Sequence, residues 1–298
     1  MEQKHIQLLQ QHIATKSIAD VKTLCKSGIP KQIRYEIYKL LLQPKQHIKS
    51  IAELKPLDES LMKQHEDTKI VVEINTTLAH FITQNIITRY TIVLTDRNYQ
   101  QIYQVVSVFI SLHPFDYIDI FTQEKTTEMK DNQPEVKEEQ NEQQKENENE
   151  RKEYEKKLLE TINIILSFYE KHHKYVLTHY PSVQQAFNSI FHQLLYFHCP
   201  RVIISMESQR IHAHQFIGQL MSNMLLSVFT NEIPMWKLWD HLILSEDPFF
   251  YVFIVLSLFK LKEDQLIECI KKHTVNPIKV LPETFGKKGK QKAEIPKI

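Results

Sequence analysis

The chain has 298 residues, 42% of them apolar, with a formal net charge of +1 and only four glycines. That is enough apolar content for a sizeable core, but too little glycine for a large β-sheet protein or for a glycine-rich phosphate loop. The balance of 37 basic and 36 acidic residues leaves no electrostatic footprint for nucleic acid.

In chain order, residues 1–27 read as a short helical lead-in, without the long apolar run of a signal peptide. "GIPKQIRYEIYKLLL", Gly28 to Leu42, opens a helix. Gly28 permits a sharp turn, Pro30 suits a first helical turn, and Ile33, Ile37, Leu40 and Leu41 recur at helical spacing. A second helix is expected over Leu61–Gln84. A buried one spans Ile102–Phe109 and stops at "HPFDY".

The segment 126–157 is acidic and almost free of apolar residues. It is expected to be a solvated, disordered insertion, because it cannot bury enough surface to offset its ordering entropy. Its far end runs into an amphipathic helix. Further helices are expected at Leu158–Tyr169, Val183–Phe197, His214–Phe229, Trp236–Leu244 and Pro248–Leu261, with turns at "HCP" and "NEIP". "FFYVFIVLSLF" is too short to cross a bilayer and reads as a buried helix. Residues 286–298 form a basic tail. The fold class expected is all-α, in two helical lobes: 1–125, then the insertion 126–157, then 158–285, then the tail.

The three cysteines, Cys25, Cys199 and Cys269, are far apart and form neither a disulfide framework nor a zinc pattern, which suits a reducing, cytoplasmic compartment. Fifteen histidines include two clusters, His172–His173 and His212/His214. Neither spacing turns two rings toward one ligand, so no metal and no cofactor is expected. A dispersed Ser–His–Asp or Cys–His set stays open, because such groups need not be local in sequence.

The opening block, with Gly28, Ile29, Pro30, Arg34, Tyr38, Leu41 and Leu42, resembles the start of the TBC domain, the fold of Rab GTPase-activating proteins. Tyr38 stands where that family usually has Trp. "FNSIFHQLLYFHCPRVIISM" resembles the family's helix ending in "FHDPEL". "LLSVFTNEIPMWKLWDHLILSEDPFFYVF" resembles its closing block, with Trp239 and Asp240 in the Trp–Asp place and Met224 where a Trp is usual. The resemblance spans roughly residues 20 to 270. It implies an all-α fold, a GTP-bound Rab-family small GTPase or a scaffold protein as partner, and a role in vesicle trafficking. It also implies a cytoplasmic site on endomembrane surfaces or at the base of a centriole or cilium.

In that family an arginine stabilises charge on the transferring phosphoryl group and a glutamine orients the attacking water; such an arginine is worth on the order of 10³ to 10⁵ in rate. Here Thr76 falls in the arginine slot of "IVVEINT", with Glu73 in place of Asp. Asp119 falls in the glutamine slot of "YIDI". Thr76 lacks the charge, and Asp119 carries the wrong one. The resemblance therefore implies GTPase docking without catalysis. The alternative is an active GTPase activator that draws its arginine from Arg89 or Arg97.

Overall fold

The computed structural model describes residues 2–45, 47–64, 75–90, 92, 96–112, 138–173, 181–212, 224–226, 232–245, 247 and 249–272. Among the described residues there is no strand, and the fold is all-α. The chain divides into two compact units, one of residues 1–180 with 240–248, the other of residues 181–239 with 249–298.

In the first unit, α1 (Glu2–Ala14) and α2 (Ile18–Leu24) pack on each other and on α3 (Arg34–Leu42). A 3-10 turn, Cys25–Ser27, leads to Gly28, whose φ of +117° is the region that side-chain-bearing residues avoid. A Cβ at Gly28 would meet nothing within 4 Å, so backbone conformation alone calls for glycine there. Pro30 lies just outside the helix and caps a second 3-10 turn, Lys31–Ile33. In α3 the buried positions are Arg34, Ile37, Tyr38, Leu41 and Leu42, the i, i+3, i+4, i+7, i+8 stripe of a core-facing helix. Gln43 ends it in the left-handed region, with φ 46°.

The helix expected over Leu61–Gln84 is two helices. α4 is short (Glu59–Gln64), and α5 (Thr76–Arg89) starts afresh at Asn75, whose side chain accepts the Leu78 N–H at 2.9 Å. An asparagine cap satisfies an N–H that a continuing helix would bond internally, so Asn75 marks a start that apolar spacing alone does not reveal. Ten consecutive residues of α5, Leu78 to Ile87, are buried. It packs on α6 (Asp96–Leu112); the "HPFDY" sequence lies outside the described residues.

α7 (Glu138–Phe168) has 31 residues, about 46 Å of helix. It takes in residues 138–157 of the acidic segment that the composition assigns to a disordered insertion; residues 126–137 lie outside the described residues. Glutamate, glutamine and lysine are good helix formers, and the i, i+4 pairs Glu148–Lys152, Arg151–Glu155 and Glu153–Lys157 line this stretch. Tyr154 and Leu158 begin its buried face. Because α7 packs on α3 and α6, the first unit extends past the acidic segment, and the boundary falls after residue 180 rather than at 126–157. A π-helical turn, Tyr169–His173, ends α7.

The second unit holds α8 (Pro181–His198), α9 (Pro200–Ser208), α11 (Phe250–Leu261) and α12 (Glu263–Lys271). The division passes through α10 (Glu232–Ser245), between Trp239 and Asp240. α9 and α12 are additional to the sequence reading. "HCP" is a one-residue junction, with Pro200 at the first position of α9, where its missing N–H costs nothing. Of "NEIP", Glu232 to Pro234 lie inside a helix, with Pro234 in the first turn of α10. Of the helix expected over His214–Phe229 only Met224–Leu226 are described. There the backbone turns, with φ 52° at Met224 and 66° at Leu225, so no helix runs through.

Replacing residues 126–147 by a short flexible linker is expected to preserve a single cooperative thermal transition. Residues 148–150 are exposed, and the cost of closing a loop changes by only about 0.6 kcal/mol per doubling of length. Loss of cooperativity in calorimetry would place part of the segment in the core.

Candidate functional site

The motif residues of the opening and closing blocks meet at one carboxylate. Asp240, 1% exposed, sits in the first unit with Arg34 and Tyr38 of α3. Its Oδ1 accepts from Arg34 Nε at 2.9 Å and from the Tyr38 hydroxyl at 2.8 Å. Its Oδ2 accepts from Arg34 Nη2 and from the Ile29 N–H, each at 3.2 Å. Arg34 Nη2 also donates to the Ile29 carbonyl at 3.0 Å. Both backbone groups of buried Ile29, in the turn between Gly28 and Pro30, thus find partners in the ion pair.

A bidentate guanidinium and a carboxylate accepting four hydrogen bonds meet the condition under which a buried pair offsets its desolvation cost. Neighbouring groups register the charge. Burial and then the Asp240 carboxylate push the Cys25 thiol up to about 11, leaving it inert. The same two causes hold the Tyr38 hydroxyl protonated, well above its ordinary range. The Tyr38 ring meets Phe109 of α6 edge-on at 6.3 Å, and Phe109 meets Phe168 of α7 at 5.0 Å. Trp239, the other half of the Trp–Asp pair, is fully buried.

Of the two residues that the resemblance puts in the catalytic slots, Thr76 alone lies among the described residues. Thr76 is an exposed residue at the first position of α5. Arg89 ends the same helix, 13 residues on, about 20 Å away. Its guanidinium donates to the His47 carbonyl at 2.5 Å and pairs with Glu53 at 3.9 Å. Asp119 and Glu73 lie outside the described residues, as does the side chain of Arg97.

A second polar cluster is one that the sequence reading did not single out. Asn163 of α7 clasps the backbone of Ile48, accepting its N–H at 2.9 Å and donating to its carbonyl at 3.0 Å. Asn85 of α5 does the same for Lys55. Gln84 accepts from the Asp58 N–H and donates to the Pro56 carbonyl. Each amide stands in for the missing strand partner of an irregular segment, satisfying backbone groups that burial would otherwise orphan. The available signal was an amide inside an apolar run, "TINIILSF" and "FITQNII".

Beside them His47 Nε2 lies 3.2 Å from Ser167 Oγ, and its Nδ1 lies 3.6 Å from Glu170. The order of groups is that of a hydrolytic triad. Ser167, however, is buried on α7, and its oxygen already accepts the Lys45 N–H at 3.2 Å, so the set works as a clamp on residues 45–48. Burial lowers the His47 pKa; Arg89 and Lys45 add to this and Glu170 opposes it. His172 is buried against Phe168. Among the described residues no group of three or more His, Cys, Asp or Glu could hold a metal ion. None of the described helices is long and apolar enough to cross a membrane. No family model and no curated protein matches the chain.

Asp240→Ala and Arg34→Ala should each cost about 3–5 kcal/mol in urea unfolding, since each strands a buried charge. The double variant should cost clearly less than their sum; strict additivity would mean that the pair is not coupled.

His47 gives a pH-dependent term. Its folded-state pKa is depressed, so its neutral form supports the fold above the ordinary histidine value of about 6.5, and that support fades as pH falls toward the lowered value. The stability gap between wild type and His47→Gln should therefore narrow between about pH 7 and about pH 5. A gap that widens on acidification would reverse the assignment.

Proposed function

We propose that the chain is a TBC-like module that docks a Rab-type small GTPase, as a binding or scaffold protein of vesicle trafficking, and does not accelerate GTP hydrolysis. The observation that carries the reading is the convergence of Ile29, Arg34 and Tyr38 with Asp240. These residues are drawn from opposite ends of the chain by the resemblance alone, and they share one buried carboxylate. A chance likeness of two blocks gives no reason for them to meet.

The lack of catalysis rests on the two slots. Thr76 has no charge to offer a phosphoryl group, and Asp119 adds a negative one. Arg89 does not take over the role of the arginine, because it stands about 20 Å from Thr76 along α5 and is engaged with His47 and Glu53. A site on endomembrane surfaces or near a centriole or cilium belongs to the same reading.

The test is a panel of purified Rab proteins in the GTP-bound state. Nucleotide-dependent binding of at least one, with hydrolysis rates within about twofold of the intrinsic rate, is the expected outcome; a working arginine finger would give on the order of 10³-fold or more. Strong acceleration that disappears in Arg89→Ala or Arg97→Ala would establish the active alternative. Absence of binding across the panel would remove the GTPase reading altogether.

A further inference from the structure

The irregular stretch 45–58 is held differently at its two ends. The far end lies on α5 and is held by amides: Asn85 pairs with Lys55, and Gln84 with Asp58 and Pro56. An amide neither gains nor loses a proton near neutral pH. The near end lies on α7. There Asn163 clasps Ile48, and beside it the contact runs through an imidazole, His47, whose side chain is only 10% exposed.

With a neutral ring these contacts form one relay. Nδ1–H points to Glu170 at 3.6 Å, Nε2 accepts from the Ser167 hydroxyl at 3.2 Å, and the hydroxyl oxygen accepts the Lys45 N–H at 3.2 Å. A second proton on the ring breaks that order. Nε2 turns from acceptor to donor, and the Ser167 hydrogen loses its acceptor. The charges facing the ring are divided. Glu170 on α7 favours the cation, but its carboxylate also accepts from the Tyr90 hydroxyl at 3.1 Å. Arg89, at the end of α5 with Glu53 beside it, donates to the His47 carbonyl; Arg89, Lys45 and above all burial disfavour the cation. Lys171 is turned to the Leu41 carbonyl at 3.3 Å.

We propose that His47 is a pH-sensitive latch: a proton on its ring releases residues 45–48 from α7, while residues 55–58 stay clasped to α5. In released chain the ring regains its ordinary value of about 6.5, and the bound ring lies below it, so release grows as pH falls through that value. The amide clasps confine the opening to one end. The latch does not depend on the GTPase reading, because it belongs to the chain alone.

Hydrogen exchange of the full chain, with each amide corrected for its intrinsic rate, tests it. Protection of the Lys45 and Ile48 N–H groups should fall about threefold or more between about pH 7 and about pH 5.5, while that of the Lys55 and Asp58 N–H groups stays constant. His47→Gln should flatten the response at Ile48, because glutamine does not titrate. Glu170→Gln should steepen it, because the carboxylate raises the proton affinity of the bound ring; loss of a merely structural contact would lower protection equally at both pH values. Four results overturn the latch: pH-independent protection at Ile48, a parallel loss at Lys55 and Asp58, a response that survives in His47→Gln, or a Glu170→Gln response no steeper than that of wild type.

Discussion

The first unit is organised around a problem of backbone solvation. A turn at Gly28–Pro30 must be buried for α3 to pack, and Ile29 in its middle brings an N–H and a carbonyl with it. No regular element is there to receive them. The Arg34–Asp240 pair receives both, one through the carboxylate and one through the guanidinium. Each charge is in turn held by the groups that it solvates, and Tyr38 fills the remaining acceptor site. Lysine could not substitute for Arg34, because a point charge cannot span two carboxylate oxygens and a carbonyl in one plane.

The same logic recurs with neutral groups. The stretch from Lys45 to Asp58 has only a 3-10 turn, Ile51–Glu53, of its own, yet it runs against α5 and α7. Asn163 and Asn85 each hold the N–H and the carbonyl of one residue, and Gln84 holds the Asp58 N–H and the Pro56 carbonyl. Polar residues in the middle of buried helices usually cost stability; here each is matched donor for acceptor. The uncharged clasps and the charged junction both fix irregular chain against helices, and such exact polar matching favours one register over its neighbours.

Local rules carried the sequence reading a long way. The scarcity of glycine and the 3.6-residue periodicity gave the all-α class, and the run from Arg34 to Leu42 shows the buried spacing that its apolar residues spell out. Asn75 and the "HCP" junction show where that reading stops. Periodicity reports which face is apolar, but a single cap or a proline at a first helical position decides where one helix ends and the next begins. The acidic stretch before Tyr154 misleads for a related reason. Composition measures whether a segment can bury itself, whereas helix continuity there rests on propensity and i, i+4 pairs anchored by the apolar half of α7. The partnership of Arg34 with Asp240, 206 positions apart, is beyond any local pattern. The clasps of Asn163 and Asn85 depend on the tertiary position of the segment they hold.

The separation of 206 positions between Arg34 and Asp240 has a consequence for synthesis. The first unit is discontinuous: the carboxylate that completes it is made only after α8 and α9 of the second unit. At about 5–20 residues per second, translation delivers Asp240 roughly 10 to 40 seconds after Arg34. For that interval the nascent chain carries a cation whose burial has no counter-charge, and α3 cannot settle in its final place without leaving that cation unmatched. The first unit's contacts are therefore completed from the far end of the chain, not in the N-to-C order common for multidomain chains.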